Sequence, residues 1–205
     1  MAKKIIGFLL LVLVGVWAAW RFVDRSYPIV NPQPRGKQII AFGDSLTAGT
    51  GASDGHDYPA VLSQLIGVPV LNRGVPGDTT EAALARLEND VLGADPKIVI
   101  VCLGGNDSLQ RLPSEKTFAN LRRIIESIQD RGTLVVLAGV HSASWTDQFD
   151  PRFKKIAKEK GCVFVPNVLH GILDDPAKRS DQIHPNDDGY KMIAERIAVA
   201  LRPYL

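Results

Sequence analysis

Ile98-Val99-Ile100-Val101-Cys102-Leu103-Gly104-Gly105-Asn106-Asp107 is an apolar run that stops abruptly at two glycines and two polar residues. A run this short and this aliphatic reads as a strand buried on both faces, the kind found in the middle of a parallel sheet. Working outward, four more segments of strand length flank it: Gln38–Phe42, Val68–Leu71, Thr133–Gly139 and Val163–Pro166. Between them lie stretches of helical length, Tyr58–Leu65, Thr80–Leu92, Ser114–Arg131 and Pro151–Lys160, and a last one, Asp188–Leu201, closes the chain. In Thr80–Leu92 the apolar stripe is Ala83, Leu84, Leu87 and Val91; in Ser114–Arg131 it is Phe118, Leu121, Ile125 and Ile128, with Pro113 before the start and Gly132 at the stop.

Strands alternating with helices through short connections give parallel pairing and right-handed crossovers. The expected architecture is α/β, a flavodoxin-like three-layer α/β/α sandwich with a five-stranded parallel sheet in the order 2-1-3-4-5. In such sheets ligands bind beyond the carboxyl ends of the strands, so functional residues should directly follow strands.

The sheet-forming part spans residues 38–205, and two different segments precede it. Residues 24–37 carry Pro28, Pro32 and Pro34 among polar residues, which rules out a helix and predicts a stiff, extended linker. In residues 1–23, Lys3 and Lys4 precede an uncharged run from Ile5 to Trp20 that continues to Val23 if Arg21 snorkels outward. That is long enough for a membrane anchor. A cleaved secretory signal, with Val16 and Ala18 at the cleavage site, is the competing reading. Trp17 and Trp20 suit a membrane interface better, and the leading lysines favour a cytoplasmic N-terminus, so the expectation is an anchored chain whose folded domain is exported to the periplasmic or extracytoplasmic side.

Residues 1–37 carry six cations against the single Asp24, which leaves residues 38–205 with a net charge of −3. A mildly acidic domain without basic runs gives no electrostatic footprint for nucleic acid. Cys102 and Cys162 fall in the third and fifth strand regions with a strand between them, about 10 Å apart at strand spacing and too far for a disulfide. Two buried thiols are expected. No cysteine–histidine spacing suits a metal, and nothing in the sequence fixes an oligomeric state.

Four loops after strands carry polar groups. Gly43-Asp44-Ser45-Leu46-Thr47 follows the first strand, where a sharp turn into a helix would present the Ser45 hydroxyl; a serine there also serves as a helix cap. Asp181-Gln182-Ile183-His184-Pro185 follows the fifth, and a carboxylate three residues before a histidine can take its Nδ1–H and leave Nε2 free as a base. Those two residues can equally cap the last helix. His56, His141 and His170 have no carboxylate at that spacing. The loops Asn72–Thr79 and Gly104–Asp107 follow the second and third strands; both use ordinary turn formers, yet both also offer donors for an oxyanion, joined by the Ser45 N–H. A nucleophile, two donor loops and a base converging on one sheet edge make the catalytic reading the stronger one.

With these motifs the chain resembles the SGNH hydrolases of the GDSL superfamily, and in particular the bacterial thioesterase I, lysophospholipase and arylesterase group. The matching blocks are AFGDSLTAG at Ala41–Gly49, NRGVPGDTT at Asn72–Thr80, LGGND at Leu103–Asp107 and DQIHP at Asp181–Pro185, in the family's order. One departure is Gln182, where glycine is common in the family. The resemblance implies Ser45 as nucleophile, Gly77 (at the family's Gly-Asp-Thr position) and Asn106 as oxyanion donors, His184 as base and Asp181 as its orienting partner, with no metal or organic cofactor. It implies hydrolysis of a small-molecule or lipid carboxylic ester, extending to thioesters or lysophospholipids. The alternatives are an exported carbohydrate O-acetylesterase and a non-catalytic, membrane-anchored binding domain. Leu109, Leu112, Trp145 and Phe149 are candidates to line an acyl groove or to pack beneath long loops, and membrane tethering by itself favours lipid or acyl substrates through proximity.

Overall fold

The structure, a computed structural model, describes residues 27–140 and 149–205. Its five strands are β1 (Gln38–Gly43), β2 (Val70–Gly74), β3 (Pro96–Cys102), β4 (Leu134–Ala138) and β5 (Val163–Val165), in the order β2-β1-β3-β4-β5. Every neighbouring pair is parallel, as the short connections required. β3 is central, and all of its residues but Lys97 are buried.

Residues alternate across a strand, so the sheet sorts its side chains onto two faces. Ile39, Ala41, Ile98 and Ile100 face one way, and Ile40, Phe42, Val99 and Val101 the other. The helices are α1 (Ser45–Ala48), α2 (Tyr58–Ile66), α3 (Thr80–Asp90), α4 (Gly105–Leu109), α5 (Ser114–Gln129), α6 (Phe149–Lys160) and α7 (Asp187–Leu201). Tyr58 and Leu62 of α2 and Ile193 and Ile197 of α7 cover the first face. Leu87 of α3, Leu121 and Ile125 of α5 and Phe153 of α6 cover the second. The result is the three-layer sandwich the alternation predicted.

β2 departs from the sequence reading. It starts two residues later than expected and continues through Asn72, Arg73 and Gly74, which pair with Ala41, Phe42 and Gly43. An edge strand faces solvent on one side and so accepts polar residues. Asn72 is also held by its side chain: Nδ2 donates to Thr47 O at 2.8 Å, and Oδ1 accepts from Gly74 N at 2.9 Å. Gly74 lies so close to α1 that a Cβ there would stand 2.1 Å from Ala48 N.

Tyr27–Lys37, the described part of the expected linker, forms no helix but lies bonded against the domain as a strap. Val30 N donates to Gly161 O (2.8 Å), Arg35 N to Gly132 O (3.2 Å) and Lys37 N to Asp95 O (2.9 Å). Asn31 Nδ2 donates to Gln129 O and Thr133 O, and the buried Tyr27 donates through its hydroxyl to Cys162 O at 2.8 Å. The physical reason is the pairing of two incomplete surfaces. An extended chain has unused donors, and the loops entering β3, β4 and β5 have unused carbonyls. The expected anchor, Ile5–Val23, lies outside the described residues, among which no helix is long and apolar enough to cross a membrane.

Cys102 ends β3 and Cys162 directly precedes β5 rather than lying in it; both are free and buried, and β4 runs between the two strands. Burial pushes the Cys162 thiol up to about 12 and raises Cys102 well above its ordinary value, so both stay protonated.

Candidate active site

β1 ends at Gly43, where a Cβ would meet Thr47 Oγ1 at 2.2 Å and Cys102 O at 2.4 Å, so only glycine permits this turn. Asp44, not Ser45, caps α1: its Oδ1 accepts from Leu46 N at 3.0 Å. Thr47 N and Ala48 N both return to Asp44 O, which leaves the Ser45 N–H unclaimed within its own turn. At the other end of the chain the cap of α7 is Asn186, through Gly189 N, so Asp181 and His184 are not helix caps either. The structural duties that competed for these three residues are performed by others.

The three are in line. Ser45 Oγ stands 3.0 Å from His184 Nε2, and His184 Nδ1 stands 2.8 Å from Asp181 Oδ2. The other carboxylate oxygen accepts from Ile183 N and His184 N, both at 2.8 Å, which fixes the tight turn between the two residues. Partial burial raises the Asp181 pKa, but the hydrogen bonds from the His184 ring and from the two backbone N–H groups outweigh it and hold the carboxyl below its ordinary value. An ionised Asp181 keeps the proton on Nδ1 and leaves Nε2 able to take the Ser45 proton.

Asn106 lies in the first turn of α4, after Gly104 at φ = +107°. Its Nδ2 donates to Asp78 O at 2.9 Å and makes a longer contact of 3.4 Å with Asp44 Oδ2. Gly77, in the left-handed region at φ = +84°, belongs to the turn closed by Asp78 N on Val75 O. It is one residue from the carbonyl that receives Asn106, though it is not a wall of the cleft described below.

Sequence reading did not find what holds these loops. The buried Asp107 accepts from Thr80 N (2.9 Å), Thr80 Oγ1 (2.6 Å) and Thr117 Oγ1 (3.2 Å), clamping the loop after β3 to the start of α3. Arg86 of α3 donates through Nε to Asp78 Oδ2 at 2.6 Å and through Nη2 to Gly43 O and Arg73 O, while its guanidinium stacks 4.3 Å over Phe42. It thereby joins the ends of β1 and β2 to the Gly77–Asp78 turn. The one local signal was Asp90, four residues on, which pairs with Arg86 Nη1 at 2.7 Å. Replacing Arg86 by Ala is expected to lower kcat at least tenfold with a smaller change in KM and to destabilise the fold by about 2 kcal/mol, between the worth of an exposed ion pair and that of a fully buried one. Steady-state kinetics beside a urea melt check both, and an unchanged kcat in folded Arg86→Ala would show that the turn holds without it.

Asp44 is buried. Desolvation, reinforced by the nearby Asp78, pushes its carboxyl up to about 7 against the lowering effect of Leu46 N–H and His184. An acid raised in the folded state binds its proton there and loses it in the unfolded chain between roughly pH 4 and 7. Its contribution to stability is therefore full below about pH 4 and falls by as much as roughly 1.4 kcal/mol per pH unit as pH rises through that window. Asp44→Asn should remove this slope and gain most over the parent above pH 7, as urea melts at a series of pH values would show. Parallel curves for the two proteins would contradict it.

Beside Ser45, Asn106 and His184 lies a small, open cleft, walled on its apolar side by Leu46, Leu109, Leu169, Leu173 and Ile183. Leu109 and Ile183 stand at its rim, exposed at 45% and 38%. Leu109 is where the sequence placed it. Leu112 is not a wall: its N–H returns to Asp107 O at 2.8 Å in the turn that leaves α4. Trp145 lies outside the described residues, and Phe149 is described only as the first residue of α6. Leu169, Leu173 and Ile183 were missed, although the first two follow β5 and so stood at the edge where ligands bind.

The chain is similar over about four fifths of its length to known proteins. It is 28% identical to an arylesterase of Vibrio mimicus over 180 residues, covering 82% of this chain and 90% of the relative. It is 30% identical to the thioesterase 1/protease 1/lysophospholipase L1 of Escherichia coli K12 over 173 residues, 80% and 83% of the two chains. Among solved structures, that of TesA superposes with a TM-score of 0.77 at 24% identity, covering 82% of this chain and all of the other, and supports the fold. The SGNH-hydrolase family esterase AlinE4 superposes at 0.65 with 33% identity over 82% of this chain and 93% of its own. The GDSL-like lipase/acylhydrolase family matches residues 41–192, a span that runs from β1 through Ser45, Asn106 and His184, and the chain belongs to that family of ester hydrolases.

Proposed function

We propose that the protein hydrolyses carboxylic esters through an acyl-enzyme on Ser45. The observation that carries this reading is the unbroken Ser45–His184–Asp181 line, at 3.0 and 2.8 Å. His184 takes the Ser45 proton as Oγ attacks the ester carbonyl, and the N–H groups of Ser45 and Gly77 with the Asn106 amide receive the negative charge on oxygen. His184 then gives its proton to the leaving alcohol or thiol. A water molecule repeats the sequence on the acyl-enzyme, returning the acid and free Ser45. Asp181 stays ionised and keeps the imidazole in its working tautomer.

The five aliphatic walls suit an acyl chain rather than a bare acetyl group, which favours acyl esters and thioesters of the kind named for the Escherichia coli relative over an O-acetylated sugar. Each methylene seated against such walls contributes roughly 0.8 kcal/mol. For p-nitrophenyl esters, kcat/KM should therefore rise on the order of tenfold from acetate to butyrate, and acetylated xylose should be a poorer substrate than either. A flat series with preference for the sugar would transfer the assignment to carbohydrate deacetylation. The N-terminal reading is carried with this one: residues 1–23 anchor the chain and the domain is exported, supported by the uncharged run and by the lysines before it.

A further inference from the structure

The strap at Tyr27–Lys37 bears on where the site can work. Its partners, Asp95, Gly132–Thr133 and Gly161–Cys162, directly precede β3, β4 and β5. All of them belong to the amino-terminal edge of the sheet. Ser45 follows the carboxyl end of β1 and Asn106 that of β3, at the opposite edge. The seven residues of β3 separate the two edges by about 20 Å at the rise of a parallel strand.

Docking also shortens the tether. As a free linker, residues 24–37 would let the domain range about 50 Å from the end of the apolar run. With Tyr27 buried and bonded to Cys162 O, only Asp24, Arg25 and Ser26 remain between Val23 and the domain, a reach of at most about 14 Å. A domain of this size is roughly 40 Å across. Held at one pole by so short a tether, it cannot invert to bring the other pole down onto the same surface.

We propose that the docked strap turns the Ser45 cleft away from the bilayer that holds the chain, so that the site draws its esters from the aqueous phase and not from the lipids of that bilayer. This rests on the anchoring reading given above, and it reverses the expectation that tethering favours membrane lipids by proximity. The acyl walls then serve esters and thioesters that arrive in solution.

The test uses the full chain in phosphatidylcholine vesicles, with Ser45 labelled by a fluorescent fluorophosphonate and energy-accepting dye on the lipid headgroups. The expected result is a closest approach of the Ser45 dye to the headgroup plane of more than about 20 Å. Inserting thirty Gly/Ser residues between Ser26 and Tyr27, a coil of about 30 Å, should raise energy transfer severalfold. Hydrolysis of soluble p-nitrophenyl butyrate should be unchanged by the insertion. A chain that fails to float with the vesicles refutes the anchoring reading and the proposal with it. A chain that floats but places the dye within about 10 Å of the headgroups, or whose transfer ignores the insertion, overturns the proposal alone.

Discussion

Ser45→Ala is expected to reduce p-nitrophenyl ester turnover by roughly 10⁵- to 10⁶-fold while the domain remains folded. The size follows from the role: without Oγ there is no acyl-enzyme, and His184 has nothing to deprotonate. The folding claim follows from the local structure. Asp44 caps α1, Gly43 makes the turn, and the hydrogen bond recorded for the Ser45 hydroxyl is the one to His184 at 3.0 Å. Removing it costs the core nothing. The parent should take a fluorophosphonate label and Ser45→Ala should not, with the two melting within about 1 kcal/mol of each other. Near-normal turnover by a folded Ser45→Ala protein would dismiss the nucleophile and revive the non-catalytic binding domain.

Asn106→Ala carries the second largest expected loss, on the order of 10²- to 10³-fold in kcat with little change in KM. The amide has two N–H groups. One is fixed on Asp78 O at 2.9 Å, which locks the plane of the side chain, and the contact of Nδ2 with Asp44 Oδ2 is long, at 3.4 Å, and weak enough to yield to an oxyanion. Preorganisation of this kind matters most in the transition state, where charge has moved onto the carbonyl oxygen, so kcat and not KM should fall. Stability should drop by about 1 kcal/mol for the lost bond to Asp78 O. A loss of tenfold or less in kcat would take Asn106 out of the oxyanion site.

The parts of this molecule legible in the sequence are those specified locally. β3 was readable because a strand buried on both faces has nearly every position constrained to be apolar, and α5 because its stripe repeats over four turns. The Asp181–His184 pair was readable because three residues of one tight turn set its geometry. Arg86 was not: its acceptors Gly43 O, Arg73 O and Asp78 Oδ2 come from three separate segments, and a helical arginine looks the same whether it meets water or a ring of carbonyls. The polar end of β2 was hidden for a related reason, since edge pairing is decided by backbone groups that Asn72 and Arg73 do not advertise. The strap was legible as non-helical and extended, but its docking was not, because carbonyls left open by distant loops have no signature in the proline-rich segment itself. Leu169 and Leu173 were visible as apolar residues, but nothing local separates a cleft wall from a core residue.

The strap also sets an order of events. Tyr27 is bonded to a residue 135 positions later, and Ser45 to one 139 positions later. The first of these segments to leave the ribosome is thus among the last to find its place, and neither the seam at Tyr27 nor the Ser45–His184 bond can close until most of the chain has been made. Contacts this distant in sequence make for slow assembly. Under the export proposed above, slow assembly of this kind leaves the chain unfolded, and inert, during the passage.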